Sequence, residues 1–344
     1  MFIAGDIGGT KSNLAIYELH TAGTEPVFAK TLSSQSYATL TDLIMDFLGS
    51  TDQKVKRAYF SIAGAVINGM CKTTNLPWEV CKDQLEKETG LIQIELVNDL
   101  VANAYGIGLI ADKDFVVLNE GDSAIIGNAV VISAGTGLGE AGLYWDGQRH
   151  HPFASEGGHS TFSPGDELQT DLMHFLRKSL AEAHNISDYS RVHVSTERVL
   201  SGSGIHSIYK FLRERGVAPE PAWIPEAMKS RDPAAVITEG ALEKNVELCV
   251  KTLEVFCTIY GSEAGNLALK FLSTGGVYVG GGIAPKILPK LKEPFFREAF
   301  IAKGRMGDLL ETIPVKVILN DKAALLGAVR AGREQFSRLE SSIR

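Results

Sequence analysis

The chain has 344 residues, 44% hydrophobic and 22% charged, with a formal net charge of −7. That length gives about two domains, and the acidic balance argues against a nucleic-acid or anionic-membrane surface. Its four cysteines form no Cys-x-x-Cys pair and suit a reducing cytoplasm, while no basic leader and no apolar run of ~20 residues predicts a signal peptide or membrane span. In chain order, Met1 to Ala4 and Leu14 to Tyr17 are apolar runs of strand length around Gly5-Asp6-Ile7-Gly8-Gly9-Thr10. They predict a β-hairpin whose adjacent glycines allow positive φ and a close ligand. Backbone N–H groups in such a turn suit phosphate oxygens. A carboxylate repels phosphate unless a cation lies between them, so Asp6 reads as a Mg²⁺ or water holder. Taken alone, the same residues also suit a tight hairpin without a ligand.

Thr31 to Leu32 is strand-like, Leu40 to Leu48 has helical spacing, and Arg57 to Ala63 reads as a strand. Gly69 to Trp78 reads as a loop; beside a cleft it either touches a substrate or packs Trp78 into a core. Ile92 to Val97 predicts a strand running into Asn98-Asp99 and then a helix from Leu100 to Leu109. Alternating strands and helices give an α/β domain with partly parallel pairing. In such sheets ligands collect beyond the carboxyl ends of strands, where Asn98 and Asp99 stand. Ala111 to Gly127 reads as a loop-rich crossover into a second domain.

Val130 to Gly139 repeats the strand–glycine pattern and leads into Ala141 to Trp145. Aligning Gly8 with Gly137 also brings Thr10 onto Gly139 and Leu14 onto Leu143. Two such hairpins suggest two related α/β domains. Ala154 to Ser160 contains Glu156-Gly157-Gly158-His159, where Glu156 and His159 can converge on one small polar ligand. Asp166 to Ala183 is helical in pattern. Ser195 is an expected N-cap that places Glu197 in a first helical turn. Pro219 to Pro225 is a linker by composition. Ala241 to Leu272 is the longest helical stretch, interrupted by Gly261 and Gly265, with Cys249 and Cys257 on its buried face. Gly275 to Gly282 runs a strand into a third glycine turn, and Pro285 begins a helix to Phe300. Val315 to Leu319 is a strand, and Asp321 to Arg338 a final helix. None of the three glycine sites fits the P-loop or the dinucleotide fingerprint.

These loops together resemble the phosphate and adenosine loops of the actin-like, ribonuclease H-like ATPase superfamily, most closely the bacterial glucokinases. The resemblance covers nearly the whole chain. It implies two ribonuclease H-like α/β domains, 1–110 with 319–344 and 111–318, flanking a nucleotide and sugar cleft. It implies ATP-dependent phosphorylation of D-glucose at the 6-hydroxyl, with Mg²⁺. Asp99 matches the general base; Asn75, Asn98, Asp99, Glu156, His159 and Glu197 match sugar contacts. Gly5 to Thr10, Gly135, Thr136, Gly137, Gly281 and Gly282 match the ATP-binding loops, with Asp6 toward the metal. A homodimer is also implied. Lys11 after Gly8-Gly9-Thr10 also occurs in the ROK sugar kinases, but their Cys-rich zinc motif has no counterpart after His159. The rivals are another hexose or amino-sugar kinase of this fold, a non-catalytic sugar-responsive regulator, and a chaperone or cytoskeletal relative. A regulator would need a basic DNA-binding segment, and a chaperone would lack Asn98, Glu156, His159 and Glu197.

Overall fold

The computed structural model describes residues 1–21, 23–73 and 76–343. The chain forms two compact units, Met1–Asp112 with Asn320–Arg344, and Lys113–Leu319.

In the first unit the elements run β1 (Phe2–Ile7), β2 (Lys11–Tyr17), β3 (Phe28–Ser33), α1 (Leu40–Gly49) and β4 (Arg57–Ile62). Then come β5 (Val66–Ile67), β6 (Met70–Lys72), β7 (Glu79–Cys81), α2 (Lys82–Thr89), β8 (Gln93–Asn98) and α3 (Asp99–Gly106). The main sheet has the order β3-β2-β1-β4-β8. β1 and β2 pair antiparallel, whereas β1, β4 and β8 are parallel neighbours. α1 starts at a capping box: the Thr39 hydroxyl accepts from the Asp42 amide, and the Asp42 carboxylate accepts from the Thr39 amide. Leu40, Leu43, Ile44 and Phe47 then face Ile3, Leu14 and Phe60 on one side of the sheet.

The other side of that sheet carries Phe2, Ala4, Ala15, Tyr17 and Tyr59. It is covered by the chain's last helix, Ala323–Ile343, through Ala328, Val329, Ala331 and Phe336. That helix also crosses α3 backbone to backbone. A Cβ on Gly327 would lie 1.6 Å from the Ala102 carbonyl oxygen, and one on Gly106 would lie 2.1 Å from that of Ala323. Glycine is required at this crossing because no side chain fits between the two backbones.

The second unit runs β9 (Phe115–Asn119), β10 (Ala129–Ala134), β11 (Leu138–Trp145), β12 (His150–Ser155), α4 (Glu167–His184), α5 (Gly202–Glu214) and α6 (Trp223–Met228). It continues through α7 (Pro233–Leu242), α8 (Glu247–Phe271), β13 (Gly276–Gly280), α9 (Leu288–Leu291), α10 (Pro294–Ile301), α11 (Gly307–Glu311) and β14 (Val315–Ile318). The closing helix of the first unit is therefore α12. The sheet order is β12-β11-β10-β13-β14-β9. Its first five strands repeat the order and pairing senses of the first unit's sheet, with β9 added antiparallel at the far edge. The central α8 is buried along most of its length, and Cys249 and Cys257 are core residues as its spacing predicts.

Several expectations need correction. Gly8 and Gly9 are absent from the positive-φ residues; a Cβ on Gly8 would instead meet the Lys11 carbonyl oxygen at 2.7 Å. By strand ends, Gly8 corresponds to Gly135, not Gly137. The Gly69 to Trp78 loop contains β6, part of the small sheet β5-β6-β7, and Trp78 is buried. The crossover before Gly127 contains β9. The linker ending at Pro225 overlaps α6, with Pro225 in its first turn, where a missing N–H costs nothing. The long helical stretch is two helices, broken where Asn245 takes φ 48°. Gly261 and Gly265 do not interrupt α8; they admit the Phe296 and Phe300 carbonyls of α10, 2.0 and 2.5 Å from where Cβ atoms would stand. The helix expected from Pro285 begins only at Leu288 and breaks before Pro294.

Candidate active site

In the first unit, parallel register brings the chemistry to one end of the sheet. Asp6 is level with Ser61 on β4, and Ser61 with Val97 on β8. One step on, Ile7, Ile62 and Asn98 align. At ~4.8 Å between strands, the backbones of Asp6 and Asn98 stand about 10 Å apart across this end. Asp6 accepts a 3.2 Å hydrogen bond from the buried Ser61 hydroxyl. Burial pushes its carboxyl upward, and hydrogen bonds from Ser61 and Asn13 partly offset this. The turn beside it is held firmly. The Gly8 amide donates to the Lys11 carbonyl, and the Ser34 hydroxyl donates to the Gly8 carbonyl at 2.6 Å.

Asn98 ends β8 and caps α3. Its side-chain oxygen accepts from the Leu100 and Val101 amides, and its nitrogen donates to the Gly64 carbonyl at 3.0 Å. Much of its hydrogen-bonding capacity is thus committed to the fold, leaving one N–H for a ligand. Asp99 is the first residue of α3, and one carboxylate oxygen accepts from the Leu100 amide at 3.1 Å. A carboxylate there is favoured by the helix N-terminus. Asn75 lies outside the described residues.

The second unit gathers the other predicted residues around the β10–β11 turn. The Gly135 amide donates to the Gly137 carbonyl, and the Gly202 amide at the start of α5 donates to the Gly135 carbonyl. Gly281 takes φ +83°, with the Ala134 carbonyl 2.2 Å from where its Cβ would be; only glycine meets both conditions. A cavity of about 910 Å³ opens here, lined by Gly135, Thr136, Ser203, Asp232, Gly282 and Lys286 among others. It is large enough for a nucleotide-sized ligand. The first residue of α5, a 13-residue helix, lines it too, with its own amide held by the Gly135 carbonyl and the Gly204 amide capped by the Ser201 hydroxyl.

Glu156, His159 and Glu197 are drawn together. The Thr196 amide donates to the Ser160 carbonyl, and Thr161 pairs with Ser195. This ties the short 3₁₀ turn Gly157–His159 to another, Thr196–Arg198. The Glu156 carboxylate is 3.8 Å from the His159 imidazole, and both side chains are largely exposed. Glu197 departs from expectation. Ser195 makes no side-chain cap bond, and Glu197 sits in a 3₁₀ turn, not at the start of an α-helix. Its Oε2 accepts from the Leu138 amide at 3.0 Å and stands 2.5 Å from where a Gly137 Cβ would be. The glycine turn and Glu197 therefore fix each other. Sequence spacing gave no signal of this contact.

Tyr260 was also hidden in the apolar stripe of α8. Its buried hydroxyl accepts from the Ala134 amide at 3.2 Å and lies 3.3 and 3.4 Å from the Ile132 and Gly280 carbonyls. It thus joins the ends of both strands that lead into glycine turns. Burial pushes its phenol well above the ordinary range, so it stays a donor. Tyr260→Phe strands the Ala134 N–H. We expect a loss of about 1–2 kcal/mol, seen as a lower Tm by calorimetry, with a raised KM for nucleotide. Unchanged values for both would contradict this joining role.

Among the described residues no group of three or more His, Cys, Asp or Glu side chains could hold a metal ion, and no helix is long and apolar enough to cross a membrane. Asp6 is nonetheless suited to Mg²⁺, which typically takes one or two protein carboxylates with substrate phosphates and water.

Comparison with known proteins covers nearly the whole chain. The sequence profile of the family Glucokinase matches residues 3–335. A glucokinase of Synechocystis sp. is 40% identical over 351 residues, covering 95% of this chain and 96% of its own. The crystal structure of a glucokinase from an Antarctic psychrotroph has a TM-score of 0.79 at 31% identity, covering 96% of this chain and 98% of its own. A ROK family glucokinase from Streptomyces griseus, solved in complex with glucose and AMPPNP, shares the fold, with a TM-score of 0.61 at 20% identity, covering 97% of this chain and 99% of its own. With a family profile and a 40%-identical relative both spanning nearly its full length, the chain belongs to the glucokinase family.

Proposed function

We propose that the protein transfers the γ-phosphoryl group of ATP to the 6-hydroxyl of D-glucose. The observation that carries this reading is the strand register that sets Asn98-Asp99 and the Asp6 turn at one end of the first sheet. In this reading Asp99 takes the hydroxyl proton as the O6–P bond forms and the bond from phosphorus to the β–γ bridging oxygen breaks, releasing ADP. Such a transfer needs positioning and charge stabilisation more than covalent help. Asn98, Glu156, His159 and Glu197, with Asn75, bind the sugar hydroxyls. A site built on many hydroxyl bonds rejects analogues that lack one. Gly5 to Thr10 hold the phosphates, and the cavity beside Gly135–Gly137 and Gly281–Gly282 receives the nucleoside. Asp6 would hold Mg²⁺, which neutralises phosphate charge when bound.

The reading includes two actin-like, ribonuclease H-like domains, 1–110 with 319–344 and 111–318, flanking the substrates. It also includes a homodimer in the cytoplasm, without a nucleic-acid or membrane partner. A coupled assay over a panel of hexoses and amino sugars, with ATP and other donors, tests the substrate. Glucose with ATP should give the highest kcat/KM; a clear preference for another sugar would transfer the assignment to that sugar. Chelation with EDTA should abolish turnover and added Mg²⁺ restore it. Elemental analysis should find no stoichiometric zinc, because no cysteine cluster follows His159; one tightly bound zinc per chain would overturn that part.

A further inference from the structure

Glu140 lies in the middle of β11 between glycine and alanine, yet its side chain is only 2% exposed. Its cross-strand partner is Ser155, the last residue of β12. The next residues form the Glu156–His159 turn. Oε2 of Glu140 lies directly beneath that turn: a Cβ on Gly157 would come within 1.9 Å of it. Oε1 is buried with no hydrogen-bond partner among the described residues.

The groups facing Glu140 do not neutralise it. From α8, Glu263 and Lys270 act on it, and its own charge acts on the Tyr260 phenol. Lys270 also attracts Glu263, 3.7 Å away. Lys303 is held by Ser262 and Asn266 beside Glu263. Glu156 and His159 in the turn above are largely exposed. Burial first, and the Glu263 charge second, raise the Glu140 carboxyl to about 7, with Lys270 opposing. A neutral carboxyl is therefore the resting form below neutrality, and charge appears as pH rises. Neutral, the group is a packed support under Gly157. Ionised, it repels Glu263 and must draw in water, because an unpaired buried charge is costly. The backbone resting on it must then give.

We propose that neutral Glu140 is a positioning residue for the sugar site: it seats the Glu156–His159 turn, and its ionisation loosens that turn and weakens glucose binding. This rests on Glu156 and His159 being the sugar contacts proposed above.

The test measures glucose Kd by calorimetry, with KM and kcat, from pH 5.5 to 9 in wild type and Glu140→Gln. In wild type, Kd and KM for glucose should be flat below about pH 7 and then rise by up to about tenfold per pH unit, with kcat changing less. Glu140→Gln, neutral at every pH, should keep the low-pH wild-type value throughout. Both proteins carry His159, so the difference between their profiles isolates Glu140. Parallel profiles would overturn the proposal. Hydrogen exchange of the Gly157, Gly158 and His159 amides in sugar-free wild type needs no variant. Protection, corrected for intrinsic rates, should fall above pH 7; constant protection would also overturn it. If glucose does not bind either protein at pH 6, the sugar-site assignment itself fails, while hydrogen exchange still decides whether Glu140 seats the turn.

Discussion

Asp99→Asn should lower kcat by about 10²–10⁴ while changing glucose Kd by no more than a few-fold. The argument is geometric. Asp99 opens α3 at the carboxyl end of a parallel strand, and Asn98 already supplies the cap bonds to Leu100 and Val101. The helix therefore does not depend on Asp99 for its cap. Asparagine keeps the size and can still accept from the Leu100 amide, as Asp99 does at 3.1 Å, but it cannot take a proton from a sugar hydroxyl. A purely structural Asp99 would be replaced by Asn at little cost. Rapid-quench kinetics and glucose calorimetry on the folded variant separate the two. Near-normal turnover would remove the base role from Asp99 and transfer it to Glu156 or Glu197.

Gly327→Val should be the most destabilising of the simple substitutions considered. The new Cβ would stand 1.6 Å from the Ala102 carbonyl oxygen, so backbone, not a flexible side chain, must move. Valine recovers only a few tenths of a kcal/mol in helix propensity over glycine, against a packing cost of about 3 kcal/mol or more. The expected outcome is a Tm lowered by roughly 6–12 °C. Because α3 carries Asp99 at its start, forcing the helices apart should also lower kcat. Gly49→Ala, where a Cβ would meet nothing within 4 Å among the described residues, is the control and should leave Tm almost unchanged. A Gly327→Val protein as stable as the control would mean that the α3–α12 crossing is looser than its geometry indicates.

The features legible in the sequence were those set by local order. The two glycine hairpins, the strand ending at Asn98 and the helix following it were read from alternating apolar residues and the switch to helical spacing. What failed depended on neighbours distant in sequence. Gly261 and Gly265 looked like helix breakers because the α10 backbone they accommodate lies more than thirty residues away. β9 and β12 were missed because edge strands carry weaker alternation and β12 contains Pro152. Glu197 read as a first-turn residue of a helix capped by Ser195 because its partner, the Leu138 amide, stands 59 residues away. Glu140 gave no signal at all, since a single acid in an apolar strand looks like a surface position until the turn above it is known.

The position of α12 gives the chain a history during synthesis. One face of the first sheet closes with residues no later than Leu96, but the other waits for Ala328 to Phe336. At ~5–20 residues per second, the ribosome takes roughly 10–45 s to deliver those residues after the first segment has emerged. Throughout that interval Phe2, Tyr17 and Tyr59 have no cover from α12, while the second unit is synthesised as one uninterrupted segment, Lys113–Leu319. The nascent first unit thus carries an apolar sheet face without its last helix for a time set by the synthesis of its neighbour.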